Sequence, residues 1–157
     1  MDSRELFEQT RESVKEMERQ GRLLRKLEAR EGLHGAGFEA IRSSGISDPM
    51  RATDDRIDHE ARIRRSMEEC ERQLDYACAI LYGEDYSGRT GGLYVLADHE
   101  LADILCFYYC QALTWDDVSD MVGYARTPCI SKAHQALDLI DAYGFDRCIQ
   151  GLGMAEG

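Results

Sequence analysis

Two sets of residues in this 157-residue chain have types and spacing that could do chemistry. One is a polar run near the C-terminus: Arg126, Thr127, Ser131, Lys132, His134 and Gln135. On one helix face such a run suits recognition of a nucleic-acid duplex. Gln135 could pair with an adenine edge, Lys132 with guanine or phosphate, and Ser131 with either. Thr127 and the unpaired N–H groups at a helix start favour a phosphate oxygen, and Arg126, just ahead of them, favours the backbone over the bases. The other set is the six cysteines, at 70, 78, 106, 110, 129 and 148. No C-x-x-C occurs, and Cys106 and Cys110 stand four apart inside an apolar helical run. His99 lies near that run, but nothing supplies a fourth ligand at ordinary spacing, so free thiols in a reducing cell are expected, with neither a metal nor a cofactor.

Other catalytic patterns are missing. The histidines at 34, 59, 99 and 134 are scattered, no H-E-x-x-H occurs, and no Ser/His/Asp spacing stands out. The Asp-His-Glu tripeptides at 58–60 and 98–100 read as ordinary polar helix positions. The glycine-rich segment 83–92 lacks the frame of a phosphate loop and no strand precedes it. A non-enzymatic protein is expected.

The elements that must position the polar run are legible around it. Thr114 can cap a short helix whose apolar face is Trp115, Val118, Met121 and Val122. Gly123 follows where a turn needs positive φ, and Tyr124 can plug the corner. Thr127 is expected to cap the next helix with Pro128 at its first position, and Ile130, Ala133, Leu137 and Ile140 recur as its buried stripe. Before these, a helix over 97–113 is apolar nearly all round and should be central. Helix, short helix, turn, helix is a helix-turn-helix domain spanning 97–142, the motif that lays its last helix in the DNA major groove.

Upstream, residues 1–31 read as one charged helix, with Leu6, Phe7, Val14, Met17, Leu24 and Leu27 near one stripe that Thr10, Ser13 and Gln20 interrupt. Residues 32–48 read as a flexible connector. Asp48 and Pro49 start a long amphipathic helix over 49–82. Its heptad seam is Glu60, Met67, Leu74 and Leu81 with Ile63, Cys70 and Ala77, widened by Ile57 and Ala61. That helix serves assembly, either as an intrachain antiparallel hairpin or as a dimer coiled coil, and the two are not exclusive. Residues 83–96 form a loop that could tether the C-terminal domain with some freedom, and 143–157 a tail that frays. The expected fold is therefore all-α: a long N-terminal helical hairpin or coiled coil plus a small helix-turn-helix domain. No long apolar window or leader pattern appears, so a soluble cytoplasmic protein without membrane association is the default.

Charge cuts against this picture. The net charge is −11, and residues 76–157 hold only Arg89, Arg126, Lys132 and Arg147 against 12 acidic residues. Asp138 and Asp141 would repel phosphate, while Asp116, Asp117 and Asp120 suit the start of their own helix but oppose its usual backbone contact. Two-fold dimerisation, or Arg62, Arg64 and Arg65 on the long helix, would compensate.

The chain resembles sigma-70 region 4-like proteins, and within them the RinA/ArpU-type transcriptional regulators of phages and integrated elements. The likeness is carried by Tyr109, Leu113, Thr114, Trp115, Val118, Ser119, Val122, Gly123, Tyr124 and Ala125, then Ala136 and Leu137, with Ser47-Asp48-Pro49 opening a long helix. It covers about residues 48–142. It implies sequence-specific binding of double-stranded DNA and transcription control, beside RNA polymerase or a sigma factor. Relatives carry several Arg or Lys along the recognition helix; here Lys132 and Arg126 remain, and His134 and Gln135 stand where arginines are common. Matching Gly123 without a gap puts Cys129 at a buried valine position and Lys132 at a buried leucine. A one-residue shift buries Ile130 and Ala133 and frees Lys132, and is preferred because burying an unpaired lysine is costly. A protein-interaction module that binds a sigma factor or polymerase, but no DNA, is the other reading.

Overall fold

Asp2 starts the first helix: its carboxylate accepts the Glu5 N–H at 2.9 Å, and α1 then runs Ser3–Gly32. The computed structural model describes the backbone of residues 1–32 and 49–152, with the side chains of 1–30 and 54–152. Among the described residues every regular element is helical: α1, α2 (Pro49–Tyr82), α3 (Leu93–Leu96), α4 (His99–Leu105) continued by a π-turn (Cys106–Cys110), α5 (Trp115–Val122), α6 (Arg126–Tyr143) and α7 (Phe145–Gln150). The all-α expectation holds. The expected connector, and Asp48 as a cap, lie outside the described residues. No helix among the described residues is long and apolar enough to cross a membrane.

The chain divides into two compact units, Met1–Lys15 with Cys70–Gly157, and Glu16–Glu69. In the second, α1 and α2 lie antiparallel, since Gln20 meets Ser66 (2.8 Å) and Glu28 meets Arg64 (3.3 Å). Leu24 and Ile63 are buried between them. An intrachain hairpin is what this segment forms. Gln20, which breaks the apolar stripe, faces inward, its amide also bonding Glu16 at 3.1 Å. Ile57 and Ala61, expected to widen the seam, are exposed.

The first unit holds the large core: Phe7 of α1, Ile80 and Leu81 of α2, Leu93, Ile104, Leu105, Val118, Cys129, Leu137, Ile140 and Cys148. Thr10, the other polar interruption in α1, is fully buried because its hydroxyl donates to the Leu6 carbonyl (2.9 Å) and accepts from the Gln73 amide (3.3 Å). The central helix is shorter than expected and changes pitch. Asp98 caps α4 by accepting the Glu100 N–H at 3.0 Å. The π-turn follows, closed by Gln111 N–H to the Cys106 carbonyl at 2.9 Å, and Ala112 leaves it with φ 55°. One inserted residue of this kind widens a helix locally.

Segment 83–92, expected to be a free tether, is fastened to the C-terminal end. Gly92 N–H donates to the Cys148 carbonyl (2.6 Å) and Leu152 N–H to that of Thr90 (2.8 Å). Glycine at 92 is required, because a Cβ there would strike the Leu81 carbonyl. The tail likewise does not simply fray: residues 145–150 form α7, with Cys148 fully buried and Phe145 edge-on to Tyr76 at 6.1 Å.

Candidate nucleic-acid interface

The geometry begins with α5. The Thr114 hydroxyl accepts the Asp117 N–H at 3.2 Å, as an N-cap should, and Val118 is buried beneath it. Trp115 is half-buried and stacks on Tyr108 of the π-turn, rings 3.8 Å apart and 11° from parallel. Met121, expected on the apolar face, is instead 57% exposed. Gly123 has φ 84° and ψ 10°, the left-handed conformation that ends α5, and its N–H bonds the Ser119 carbonyl at 2.9 Å. The turn is then held through one atom: the Tyr124 carbonyl oxygen accepts from the Ser119 hydroxyl and from the Cys129 thiol (3.7 Å). The Tyr124 side chain is exposed rather than plugging the corner.

The cap of helix α6 lies two residues earlier than expected, at position 125 rather than 127. Its N-cap is Ala125, in extended conformation and without a capping side chain, so Arg126, Thr127 and Pro128 form the first turn. Pro128 fits there because early helix positions have no intrahelical acceptor for an N–H. The buried face is Cys129, Ala133, Ala136, Leu137 and Ile140. Ile130 is only half-buried. Each register is met in part: Cys129 is buried as the ungapped one expects, Ala133 is buried as the shifted one expects, and Ile130 and Lys132 are both half-buried. The supposed cost of burying lysine is met by a partner: Lys132 Nζ lies 3.1 Å from Glu100 Oε2 of α4, with both side chains about one-third exposed (32% and 30%). Its ammonium is also 4.8 Å from the Tyr124 ring centroid. The carboxylate raises the lysine pKa, keeping it charged.

Of the expected contact residues, Arg126, Thr127, Ser131, His134 and Gln135 are exposed, and Lys132 is half-buried and paired. Thr127, Ser131, His134 and Gln135 lie on the side of the helix away from its apolar stripe, whereas Arg126, three residues before the buried Cys129, is exposed because it stands at the helix start. Further along, Asp138 and Asp141 are exposed acids, but each has a partner in α1. Arg4 donates to Asp138 at 2.9 Å and lies 3.8 Å from Asp141, whose carboxylate also accepts the Ser3 N–H at 2.8 Å. The Ser3 hydroxyl bonds the Leu137 carbonyl at 2.9 Å. The repulsion expected from these acids is thus partly cancelled within the chain, with Arg4 raised by the hydrogen bond to Asp138.

Arg11 supports the motif from behind. Its guanidinium donates to the carbonyls of Tyr108 and Leu113 (2.8 Å for Leu113) and lies 3.9 Å from the Tyr108 ring centroid. Glu100, Arg4 and Arg11 were not signalled by the motif; each acts across 32 or more residues of sequence. Asp116, Asp117 and Asp120 remain exposed on α5.

All six cysteines are free thiols, and no three His, Cys, Asp or Glu side chains among the described residues are grouped to hold a metal ion. No protein-family model matches the chain, and neither a curated protein nor a solved structure matches it.

Proposed function

We propose that this chain is a non-enzymatic, DNA-binding transcription regulator of the sigma-70 region 4-like kind, related to RinA/ArpU-type phage regulators and acting as a cytoplasmic homodimer. The observation that carries the reading is the face of α6: Arg126, Thr127, Ser131, His134 and Gln135 exposed at its first turns, behind a three-residue turn locked by Gly123 and the Tyr124 carbonyl. A helix start with unpaired N–H groups, an arginine and hydroxyls suits phosphate, and Gln135 and Ser131 suit base edges. Two-fold pairing doubles these few contacts, which the scarcity of basic residues makes necessary.

One observation favours a different partner. The only lysine of α6 is paired to Glu100, and the neighbouring α5 exposes Asp116, Asp117, Asp120 and Met121. Such a surface suits a protein such as a sigma factor or RNA polymerase.

Selection of binding sites from random duplexes, followed by a salt titration, separates the two. DNA recognition gives an enriched site whose affinity falls steeply with salt. Arg126→Ala lowers affinity on all duplexes alike, while Gln135→Ala relaxes preference at one position. No duplex binding even at about 50 mM salt, with polymerase subunits still captured, overturns the DNA reading.

A further inference from the structure

The unit Glu16–Glu69 carries a charge pattern that the α6 face does not use. The chain as a whole is at −11, yet residues 19–30 of α1 hold Arg19, Arg22, Arg25, Lys26 and Arg30 against one acid, Glu28. That stretch is +4, which leaves −15 for the rest of the chain. Helix pitch puts Arg19, Arg22, Lys26 and Arg30 within roughly 80° of one another, on the side of α1 away from the buried Leu24. All four are exposed. They run along roughly 17 Å of helix at about 1.5 Å per residue.

The neighbouring acids leave most of this row free. Glu16 pairs with Arg19 at its first position, and Glu28 reaches Arg64 of α2 at 3.3 Å. Glu18 is exposed at the edge of the row. Among the described residues no carboxylate pairs with Arg22, Lys26 or Arg30. Like charges one turn apart destabilise a helix, so folding alone gives no reason for the row.

What the row lacks points to its occupant. Among the described residues, none of the large exposed apolar side chains lies on α1 between Glu16 and Arg30. Insertion into a lipid surface needs an apolar face beside the charges, and protein interfaces are anchored by buried aromatic or aliphatic residues. Free cations in line, without an apolar anchor, fit a polyanion whose charges repeat along a line. A duplex carries one phosphate charge per about 1.7 Å of axis, so about ten lie along the length of the row.

We propose that this face of α1 is a second nucleic-acid contact, in which Arg22, Lys26 and Arg30 lie against the phosphate backbone of duplex DNA. The inference rests on the DNA-binding reading above and extends it: the hairpin adds affinity without sequence preference, while α6 reads bases. It places in the hairpin the cations that are scarce in residues 76–157.

Salt titration of the full chain, on its selected duplex and on a random one, tests this with Arg22→Gln, Lys26→Gln and Arg30→Gln combined. The slope of log affinity against log salt should fall by about 2.7, or about 0.9 for each lost contact, and equally on both duplexes. Arg22→Lys with Arg30→Lys, which keeps the charges, should hold the wild-type slope. The melting temperature of the glutamine variant should not drop, because a like-charge row has been relieved. An unchanged slope, in a glutamine variant that still folds and still selects its site, overturns this inference alone. A wild-type chain that binds no duplex even at about 50 mM salt overturns the DNA reading and this inference together. Loss of dimer in sedimentation, or of binding to anionic phospholipid vesicles, with the duplex slope intact, assigns the row to a second copy or a membrane and likewise overturns it.

Discussion

Lys132 of α6 and Glu100 of α4 form an ion pair, Nζ to Oε2 3.1 Å, beneath the face proposed to read DNA. The pair lets α6 seat a lysine toward its packed side, where an unpaired one would be expelled. It also withholds the only lysine of that helix from a phosphate. The lysine is half-exposed, so releasing it requires no unfolding.

Replacement of Glu100 by Gln should therefore strengthen duplex binding under the DNA reading. Its signature is the salt dependence: the slope of log affinity against log salt steepens by about 0.9, the contribution of one additional phosphate contact. Adding Lys132→Ala should abolish the gain. A slope unchanged in Glu100→Gln, with measurable duplex binding, would mean that Lys132 never reaches the DNA.

Arg11 ties α1 to the π-turn through two carbonyls and the Tyr108 ring. Hydrogen bonds from a charged donor and the ring contact together are worth about 1–3 kcal/mol. Arg11→Ala should lower unfolding free energy by that amount in urea. Arg11→Lys should recover only part, because an ammonium does not span both carbonyls as a planar guanidinium does. Near-ultraviolet circular dichroism of the Tyr108–Trp115 stack should change in both variants while far-ultraviolet helicity is kept.

Local signals made much of this molecule legible. Thr114 and Gly123 announce both ends of α5, because a cap hydroxyl and a left-handed residue are determined by their immediate neighbours. The alternation of apolar residues in α1 and α2 marks the faces that meet. What the sequence left hidden depends on distant partners. Thr10 and Gln20 look like flaws in a heptad until Gln73 and Ser66 supply their hydrogen bonds. Cys129 against Ile130 is undecidable until Glu100 neutralises Lys132. The Thr127-Pro128 pair is a strong capping signal, yet Ala125 takes the cap position of α6. The packing of α7 against segment 83–92 runs through backbone groups, which carry no side-chain signature.

Burial pushes the Tyr109 phenol up to about 12, with Glu8 and Tyr108 adding to the effect. In the unfolded chain it titrates near about 10. The folded state thus favours the neutral phenol, so this stabilisation is complete below about pH 10 and is lost as pH rises through about 12. Urea midpoints should fall across that window. Tyr109→Phe, which has nothing to ionise, should show a shallower alkaline fall, with the edge contact to Phe7 retained.

Two glycines with nearly the same φ should respond differently to alanine. Gly123 (φ 84°) has nothing within 4 Å of an added Cβ, so Gly123→Ala meets only the left-handed backbone penalty, about 1–2 kcal/mol, and Gly123→Asn less. Gly92 (φ 90°, ψ 165°) lies in a region essentially restricted to glycine, where the backbone penalty is larger, and an added Cβ would also strike the Leu81 carbonyl and the Tyr82 nitrogen. Relief would require α2 and segment 83–92 to separate, breaking the Gly92 bond to Cys148. Gly92→Ala should then cost about 3 kcal/mol or more, and hydrogen exchange should show α7 losing protection before the rest of its unit. Equal losses of stability for the two alanine variants would show that the backbone at Gly92 can yield, and that the attachment of α7 is not rigid.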